Sequence, residues 1–388
     1  MMTRFTISTP LILGIVILGL LAPMPYTTEA SPGASLSPQA GRRSEPRPRP
    51  KNESEQQKPE QRDVPIDQTA PKPKPGQEEP VVQLGAELVS VPVVVFDKKK
   101  GILYTGLKKE NFAIYEDNVK QEIVTFASAE APLTMVILIE YSKIIQWIRE
   151  EVIYPAGLFV SRFVKPGDYV AIVAYDIRPK VLNDFTGNVN ELMESVHLLI
   201  RNWPAFSEAN LFDALKFVLD GGTVDGETYR GLAEIEGRTC VLLIATGYDT
   251  FSRINFDEAR RIVSNAGVPI YSIGVGEVAY IRAEPYLSGP ARLDFLQAQN
   301  QLRTFSESTG GRFYSVRFPG ELPTVLESIT TMIRNQYVLG YTPSNPRREG
   351  KRRRIKVLVD VDGDGREDNK NLEVQYRTTY TEPKEVKK

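Results

Sequence analysis

The chain has 388 residues, whereas ordinary domains hold roughly 100 to 200, so its length predicts about two folded parts. Its 48 basic and 49 acidic side chains nearly cancel, which excludes an overall field that would attract nucleic acid. A single cysteine, Cys240, and a single histidine, His197, exclude a disulfide framework, a cysteine-rich zinc site and a poly-histidine metal centre. Any anionic partner must therefore be met by a local patch.

Residues 1–30 have the order of a secretory signal peptide. Arg4 is followed by an apolar run from Leu11 to Leu21, and polar residues then lead to Ala30. A basic start, an apolar run and a small residue at the end are typical of a cleaved signal. The run is shorter than the roughly 20 residues that span a bilayer. We therefore expect an exported mature chain, in the periplasm or outside the cell, without a transmembrane span.

Residues 31–80 differ in composition from the rest. They hold 11 of the 28 prolines and no aromatic residue, and Lys, Arg, Glu and Gln fill much of the remainder. So little apolar surface cannot offset the loss of chain entropy on folding. We expect a disordered, partly extended linker.

Residues 81–130 carry the pattern of a small β segment. Alternate valines from Val89 to Val95 form one apolar face of a strand. Pro92 has no amide hydrogen to give to a ladder, which favours an edge strand. The run from Glu116 to Asn118 predicts a turn. About 50 residues of strand bury little by themselves, so this segment needs a partner.

Residues 131–335 switch to apolar runs separated by amphipathic segments. The runs are TMVILIE, DYVAIVAYD, CVLLIAT, PIYSIGVG and GRFYSV. Runs that are apolar on both faces are typical of parallel strands covered by helices on both sides. Apolar residues from Ile144 to Phe163 recur at helical spacing, and Pro155 and Gly157 should kink that helix or delay its start. The predicted fold class is α/β with a doubly wound, mostly parallel sheet.

Residues 336–388 return to strand patterns. These are QYVLGYT, RIKVLVDV and LEVQYRTTY. We expect them to pair with residues 81–130, so that both flanks build one β unit around an inserted α/β domain. The ends of the insert, near Leu133 and Ile333, should then lie close together.

Several stretches of the folded part resemble one protein family. They are APLTMVILIEYSK, KPGDYVAIVAYD, ANLFDAL, ATGYDT, YSIGVG, RLDFLQAQNQLRTFSESTGGRFY and IRNQYVLGYTPSNP. Over roughly residues 85 to 380 the chain resembles the secreted von Willebrand factor A related proteins of acidobacterial type. The resemblance implies a von Willebrand A fold, a class used for protein binding and not for catalysis.

Many A domains hold Mg²⁺ in a metal-ion-dependent adhesion site at the carboxyl ends of the strands, built from Asp-x-Ser-x-Ser and a later Thr and Asp. The matching positions here hold Glu140, Ser142, Ile144, Ala209 and Thr246. Isoleucine and alanine supply no ligand oxygen, so the resemblance implies a degenerate site at which Mg²⁺ is not expected. The face expected to bind an unidentified protein ligand is marked by Glu140, Ser142, Ala209, Asp213, Thr246 and Asp249.

A second candidate metal site lies in the C-terminal flank. Asp360, Asp362, Asp364 and Gly365 match the start of a calcium loop, and Asp368 adds a carboxylate. Asn371 replaces the usual bidentate Glu, and strands flank the motif in place of helices. A Ca²⁺ site and a tight polar turn between two strands both remain open.

The run from Arg347 to Arg354 is a candidate for contact with an anionic surface. No aromatic residue interleaves it, so a solvated hairpin tip is the favoured interpretation. His197 and Cys240 fall in apolar-patterned segments and are expected to be packing residues.

Together these features predict an exported, non-catalytic protein-binding module with no expected cofactor other than the candidate Ca²⁺. The alternative is a structural cell-envelope protein whose basic run touches a polyanion. A hydrolase is disfavoured, because His197 would have to serve any Ser-His-Asp triad and the sequence has no G-x-S-x-G elbow.

Overall fold

The computed structural model describes residues 88–382, except residues 147, 284–287, 346 and 348. The described residues belong to one compact unit, Glu78–Lys388. The predicted signal peptide at residues 1–30 and the predicted linker at residues 31–80 lie outside the described residues. Within the described part, no helix combines the length and the apolar character that crossing a membrane requires.

Strands and helices of the described residues are numbered in chain order. The strands are Val89–Asp97 (β1), Phe112–Glu116 (β2), Val119–Gln121 (β3), Ile123–Ala127 (β4), Leu133–Glu140 (β5), Tyr169–Tyr175 (β6), Pro179–Thr186 (β7), Gly221–Val224 (β8), Glu227–Arg230 (β9), Arg238–Ala245 (β10), Ile270–Gly274 (β11), Phe313–Ser315 (β12), Tyr337–Tyr341 (β13), Arg352–Val359 (β14), Leu372–Tyr376 (β15) and Thr379–Thr381 (β16). The helices are Arg149–Phe163 (α1), Val189–Arg201 (α2), Leu211–Asp220 (α3), Phe256–Asn265 (α4), Gly276–Ala283 (α5), Gly289–Ser308 (α6) and Leu322–Arg334 (α7).

A six-stranded sheet forms the centre of the α/β part. Its order is β12-β11-β10-β5-β6-β7, and neighbouring strands are parallel except for β6 and β7. Apolar residues of α1, α2 and α7 pack on one face, and those of α3, α4 and α6 pack on the other. Every residue of β10 is buried, as expected for a strand covered on both sides. The predicted fold class is confirmed.

Three elements of the α/β part are not predicted by the sequence pattern. Edge strand β7 has the mixed sequence PKVLNDFT and is only partly buried. The strands β8 and β9 form a short exposed hairpin after α3. Short, half-exposed strands leave little apolar periodicity in a sequence, which is why these three had no clear signal.

The expectation that Pro155 and Gly157 delay the start of the first helix is wrong, and a kink at these residues stays a prediction. A short 3-10 turn at Lys143–Ile145 comes first, and α1 begins only at Arg149. Pro155 lies inside α1, so it does not define the start of the helix.

Two four-stranded antiparallel sheets form the β unit. Their orders are β15-β1-β13-β4 and β16-β14-β2-β3. Each sheet combines strands from both flanks, since β1 to β4 precede the α/β part and β13 to β16 follow it. The two sheets share one apolar core, which includes Val91, Ile114, Leu339 and Val357. The expected pairing of the two flanks is confirmed.

The expectation that β1 is an edge strand is wrong. Strand β1 pairs with β13 over Val89–Val93 and with β15 over Val93–Asp97. Because the pairing with β15 starts only at Val93, Pro92 has a neighbouring strand on one side alone. A residue without an amide hydrogen is tolerated at such a position.

Arg238 joins the two ends of the α/β part. This buried guanidinium donates to the carbonyls of Ala129 and Ala131 at 2.8 and 2.5 Å, and also to the carbonyl of Ile333. One planar group with several donors can satisfy three carbonyls at once. The chain therefore enters and leaves the α/β part side by side, as expected for an insertion.

Candidate functional site

Three of the predicted site residues meet where β5 and β10 end. Glu140 is the last residue of β5, and Thr246 follows β10 directly. The amide and the hydroxyl of Thr246 donate to Glu140 Oε2 at 2.7 and 2.8 Å. The Ser142 hydroxyl donates to Glu140 Oε1 at 3.2 Å. Neighbouring parallel strands bring their carboxyl ends to one edge of the sheet, which is why these distant residues touch.

The Glu140 carboxyl is fully buried, and the groups that donate to it are neutral. Burial raises the pKa of Glu140 above its ordinary value of 4.5, while the donors from Thr246 and Ser142 offset part of that rise. Tyr175, the last residue of β6, is buried beside it, but its hydroxyl does not complete a well-formed hydrogen bond. Burial and the nearby charges of Glu140 and Asp249 hold the pKa of Tyr175 well above 10.0. Tyr175 is not among the predicted site residues. Its position at the carboxyl end of the strand run DYVAIVAYD was the sequence feature that could have indicated it.

The other three predicted residues hold two loops together. Their bonds join segment 209–213 to segment 249–253: the Ala209 amide donates to the Thr250 hydroxyl at 3.0 Å, the Phe212 amide donates to Asp249 at 3.0 Å, and the Arg253 amide donates to Asp213 at 3.0 Å. Burial raises the pKa of Asp249, and the Ser252 hydroxyl, which donates to it at 2.6 Å, opposes the rise. The two carboxylates are therefore used to connect loops.

Helix α6 packs against the turn that follows β10. The Gln299 side-chain amide donates to the Thr246 carbonyl at 3.0 Å. Gly247 has a φ of +91°, and a Cβ there would lie 2.4 Å from the Ala298 carbonyl oxygen. Only glycine allows so close an approach in this conformation. The turn after β10 is thus fixed between β5 and α6.

Burial decides what a partner could reach at this edge. Glu140, Ser142 and Ala209 are 0% exposed and Thr246 is 2% exposed, whereas Asp213 and Asp249 are half-buried. The structure brings Glu140, Ser142 and Thr246 together, and it uses the other three to fasten the loops. A direct contact from these six residues to a protein ligand stays a prediction.

The residues at the adhesion-site positions do not fit Mg²⁺. This ion needs a near-octahedral shell of oxygens and usually keeps several waters. Both oxygens of Glu140 already accept hydrogen bonds from Thr246 and Ser142. Ile144 packs against the apolar core under α3, and Ala209 has no side-chain oxygen. One enclosed carboxyl and two hydroxyls that serve it leave no open coordination site.

Exposed aromatic residues surround this closed edge. Trp203 and Phe251 are 69% exposed and Phe206 is 43% exposed. The Phe206 carbonyl accepts from the Lys143 amide at 2.7 Å, which places segment 203–206 against the loop after β5. The Arg149 guanidinium lies 4.1 Å from the centre of the Trp203 ring and stacks on one of its faces. We call Trp203, Phe206 and Phe251 the aromatic rim.

Two cavities open between the rim and the strand ends. The Trp203 cavity, about 260 Å³, is lined by Tyr141, Leu182, Leu198, Trp203, Phe206 and Lys180. The Phe251 cavity, about 630 Å³, is lined by Ile177, Phe217, Phe251, Ile254, Lys216 and Arg253. Arg178 lines both cavities. The rim and the cavities were not predicted, although the aromatic residues in the polar stretches NWPAFS and DTFSR were the signal.

The predicted calcium loop brings three of its four aspartates together. Oxygen atoms of Asp360, Asp362 and Asp368 lie within 4.8 Å of one another, so this cluster could hold a metal ion. The amides of Gly363 and Gly365 donate to Asp360 at 2.7 and 2.8 Å. Asp364 is not part of this cluster, and its carboxylate accepts from the Arg366 amide at 2.8 Å. The loop is thus also a tight polar turn between β14 and β15.

Part of the basic run is engaged within the described part of the protein. Arg353 is mostly buried and forms ion pairs with Glu382 and Asp117. Lys351 pairs with Glu349, and Arg352 donates to the Thr379 hydroxyl at 2.9 Å. The charge left for an external polyanion is therefore smaller than the sequence indicates.

Cys240 is buried in β10 as expected, and burial raises the pKa of its thiol to about 12. The expectation that His197 is a packing residue is wrong. His197 lies on the exposed face of α2, whereas Val196 and Leu199 lie on the buried face. The helical spacing of these residues turns His197 toward solvent.

Comparisons with known proteins found low-identity structural similarities. No protein-family model and no curated protein matches the chain. Proximal thread matrix protein 1 from the mussel byssus is 13% identical, with 56% of this chain and 49% of that chain covered and a TM-score of 0.39. A mutant of the PilB minor pilin from Streptococcus sanguinis is 9% identical, with 53% of this chain and 62% of that chain covered and a TM-score of 0.39.

The three N-terminal domains of the type V pili tip protein Mfa5 from Porphyromonas gingivalis are 13% identical, with 61% of this chain and 54% of that chain covered and a TM-score of 0.35. The chain thus spans between 49% and 62% of the length of these structures. TM-scores of 0.35 to 0.39 are too low to carry an argument about function.

Proposed function

We propose that this chain is an exported, non-catalytic module that binds another protein through the aromatic rim at the carboxyl edge of its central sheet. The observation that carries the proposal is the exposure of Trp203 and Phe251, each 69% exposed beside a cavity. Aromatic residues are enriched at the surfaces where protein partners bind. The degenerate adhesion site beneath them supports the rim and does not ligate Mg²⁺.

The resemblance to secreted von Willebrand factor A related proteins of acidobacterial type supports this proposal. It covers the strands and loops that build the rim, and that class of fold is used for protein binding. Export follows from the predicted signal peptide at residues 1–30, and the predicted linker at residues 31–80 would precede the folded part.

We also propose that Ca²⁺ occupies the loop with Asp360, Asp362 and Asp368. Three carboxylates within 4.8 Å favour a hard cation with oxygen ligands. The ion would stabilise the turn between β14 and β15 and would not contribute to the rim.

The alternative, a structural protein that binds a polyanion, has weaker support. The ion pairs of Arg353 and Lys351 already use part of the basic run. A hydrolase is disfavoured by the position of His197, which in the described residues has no hydrogen-bond partner and stands exposed on α2.

A pull-down from envelope extract with a crosslinker tests the proposal. The bait is the full chain, compared with a Trp203→Ala, Phe251→Ala double variant. Tyr169→Ala is the matched control, since Tyr169 is 54% exposed but lies at the amino end of β6, on the opposite edge of the sheet. A discrete protein recovered by the wild type and the control, and lost with the double variant, is expected. Equal recovery by all three baits contradicts the rim as the binding surface.

A further inference from the structure

Arg178 stands between the two cavities with the carboxylates of Asp176 and Asp225 nearby, and Asp225 is its one ion-pair partner among the described residues. Its side chain is 69% exposed and its ion pair with Asp225, at 3.8 Å, joins two exposed groups. Such a surface pair contributes little to stability and opens easily. A carboxylate brought by a partner could therefore replace Asp225.

The charges around Arg178 are unevenly satisfied. Lys180, which also lines the Trp203 cavity, is exposed and has no ion pair among the described residues. In the Phe251 cavity, Lys216 pairs with Asp220, and the Asp213 carboxylate accepts from the backbone amide of Arg253 and keeps its negative charge. The Arg253 guanidinium, exposed beside the Phe251 cavity, has no ion pair among the described residues either, so the positive charge that remains available lies at Arg178, Lys180 and Arg253.

The cavities on both sides of Arg178 suit apolar side chains. A volume of about 260 Å³ is below the range of roughly 300 to 1,000 Å³ typical of small-molecule sites. It is of the size of one large side chain, and its wall is made of Trp203, Phe206 and Leu198. The Phe251 cavity is wider and has Phe217 and Ile254 in its wall.

From this arrangement we infer that the occupant is a segment of a partner protein in which an acidic side chain lies between two large apolar side chains. The carboxylate pairs with Arg178 and Lys180, one apolar side chain enters the Trp203 cavity, and the other packs on Phe251. The inference rests on the proposed function and adds the chemistry of the partner. A polyanion could pair with the same cations, but it would gain nothing from the apolar walls of the two cavities.

The test uses a phage-displayed library of random dodecapeptides, selected on the immobilised full chain. Peptides with Asp or Glu flanked on both sides by Trp, Phe, Leu or Met are expected to be enriched. A synthetic copy of the strongest binder is then measured by fluorescence polarisation. Arg178→Glu is expected to weaken its binding about tenfold or more, and raised salt should weaken the wild type as well.

Lys120→Glu is the matched control, because Lys120 is an exposed residue of β3 in the β unit and the substitution changes the net charge equally. It should leave binding unchanged, and thermal melts should show that both variants are folded. Peptides without an acidic residue that depend on Trp203 but not on Arg178 would overturn the inference while leaving the proposed function intact. Selection of no peptide that depends on either residue would overturn both. Self-association of the full chain that is lost in Arg178→Glu would overturn the inference too, because the occupant would then be a second copy.

Discussion

Glu140 and Thr246 close the carboxyl edge of the central sheet from two neighbouring strands. The Thr246 amide and hydroxyl both donate to Glu140 Oε2, at 2.7 and 2.8 Å. The positions that resemble a metal-ion-dependent adhesion site are thus filled by a hydrogen-bonded carboxyl, and the aromatic rim above them becomes the accessible surface.

The pH dependence of stability should report the burial of Glu140. Its pKa is raised above 4.5 in the folded chain by burial, so the folded chain keeps a proton that the unfolded chain releases. This contribution to stability is full below 4.5 and is lost as the pH rises through the folded pKa, at about 1.4 kcal/mol for each unit of pKa difference. Glu140→Gln keeps an acceptor for Thr246 and has no proton to lose.

We therefore expect the wild type to lose free energy of unfolding relative to Glu140→Gln as the pH rises from about 4 to about 8. Urea unfolding across this range measures the difference. Glu130→Gln, at an exposed position, is the control and should follow the wild type. Parallel curves for wild type and Glu140→Gln would mean that Glu140 titrates as in water.

Mg²⁺ should not bind at the adhesion-site positions. Both Glu140 oxygens are occupied by Thr246 and Ser142, and removing their donors would leave a buried carboxyl unsatisfied. Calorimetry in an Asp360→Asn background, which removes the second candidate metal site, should give no heat of Mg²⁺ binding. Tight binding that disappears in Ser142→Ala would show that the prediction is wrong.

Ca²⁺ should raise the melting temperature of the chain. An ion that binds only the folded state at about 100 times its Kd adds roughly 2.7 kcal/mol to the free energy of unfolding. Asp360→Asn and Asp368→Asn should abolish this shift, while Asp364→Asn should keep it, because the Asp364 carboxylate lies outside the cluster. KCl at equal ionic strength controls for screening. A melt that does not change at saturating Ca²⁺ removes the site.

The two flanks should depend on each other for folding. In residues 88–127 only β2 and β3 pair with each other, whereas β1 and β4 pair with β13 and β15 of the other flank. An isolated fragment of residues 81–130 should be disordered, and adding residues 336–388 should restore structure. Residues 131–335 should fold alone. A well-dispersed NMR spectrum of the isolated 81–130 fragment would mean that the N-terminal flank is an autonomous domain.

The exposed edges that remain when one flank is missing should favour aggregation. The α/β part with only one flank is therefore expected to be less soluble than the same part with both flanks or with neither. Light scattering after purification compares the three forms.

The sequence by itself determined the fold class and the composition of the β unit. A strand that is covered on both faces must be apolar throughout, so a long apolar run such as CVLLIAT predicts such a strand directly. The alternate valines of β1 likewise predicted that one face of this strand lies in the core of the β unit. The N-terminal flank buries too little apolar surface by itself, so the two flanks were expected to pair.

Only the tertiary structure decided which residues are accessible at the carboxyl edge. Pro92 could not be placed from its chemistry, because its tolerance depends on where β15 begins to pair. Thr246, which donates to Glu140, and Arg253, which donates to Asp213, come from loops distant in sequence. Neither these contacts nor the exposure of Trp203 and Phe251 therefore follows from local pattern. The burial of a residue depends on which residues pack against it. For these loops, the packing residues come from a distant part of the chain.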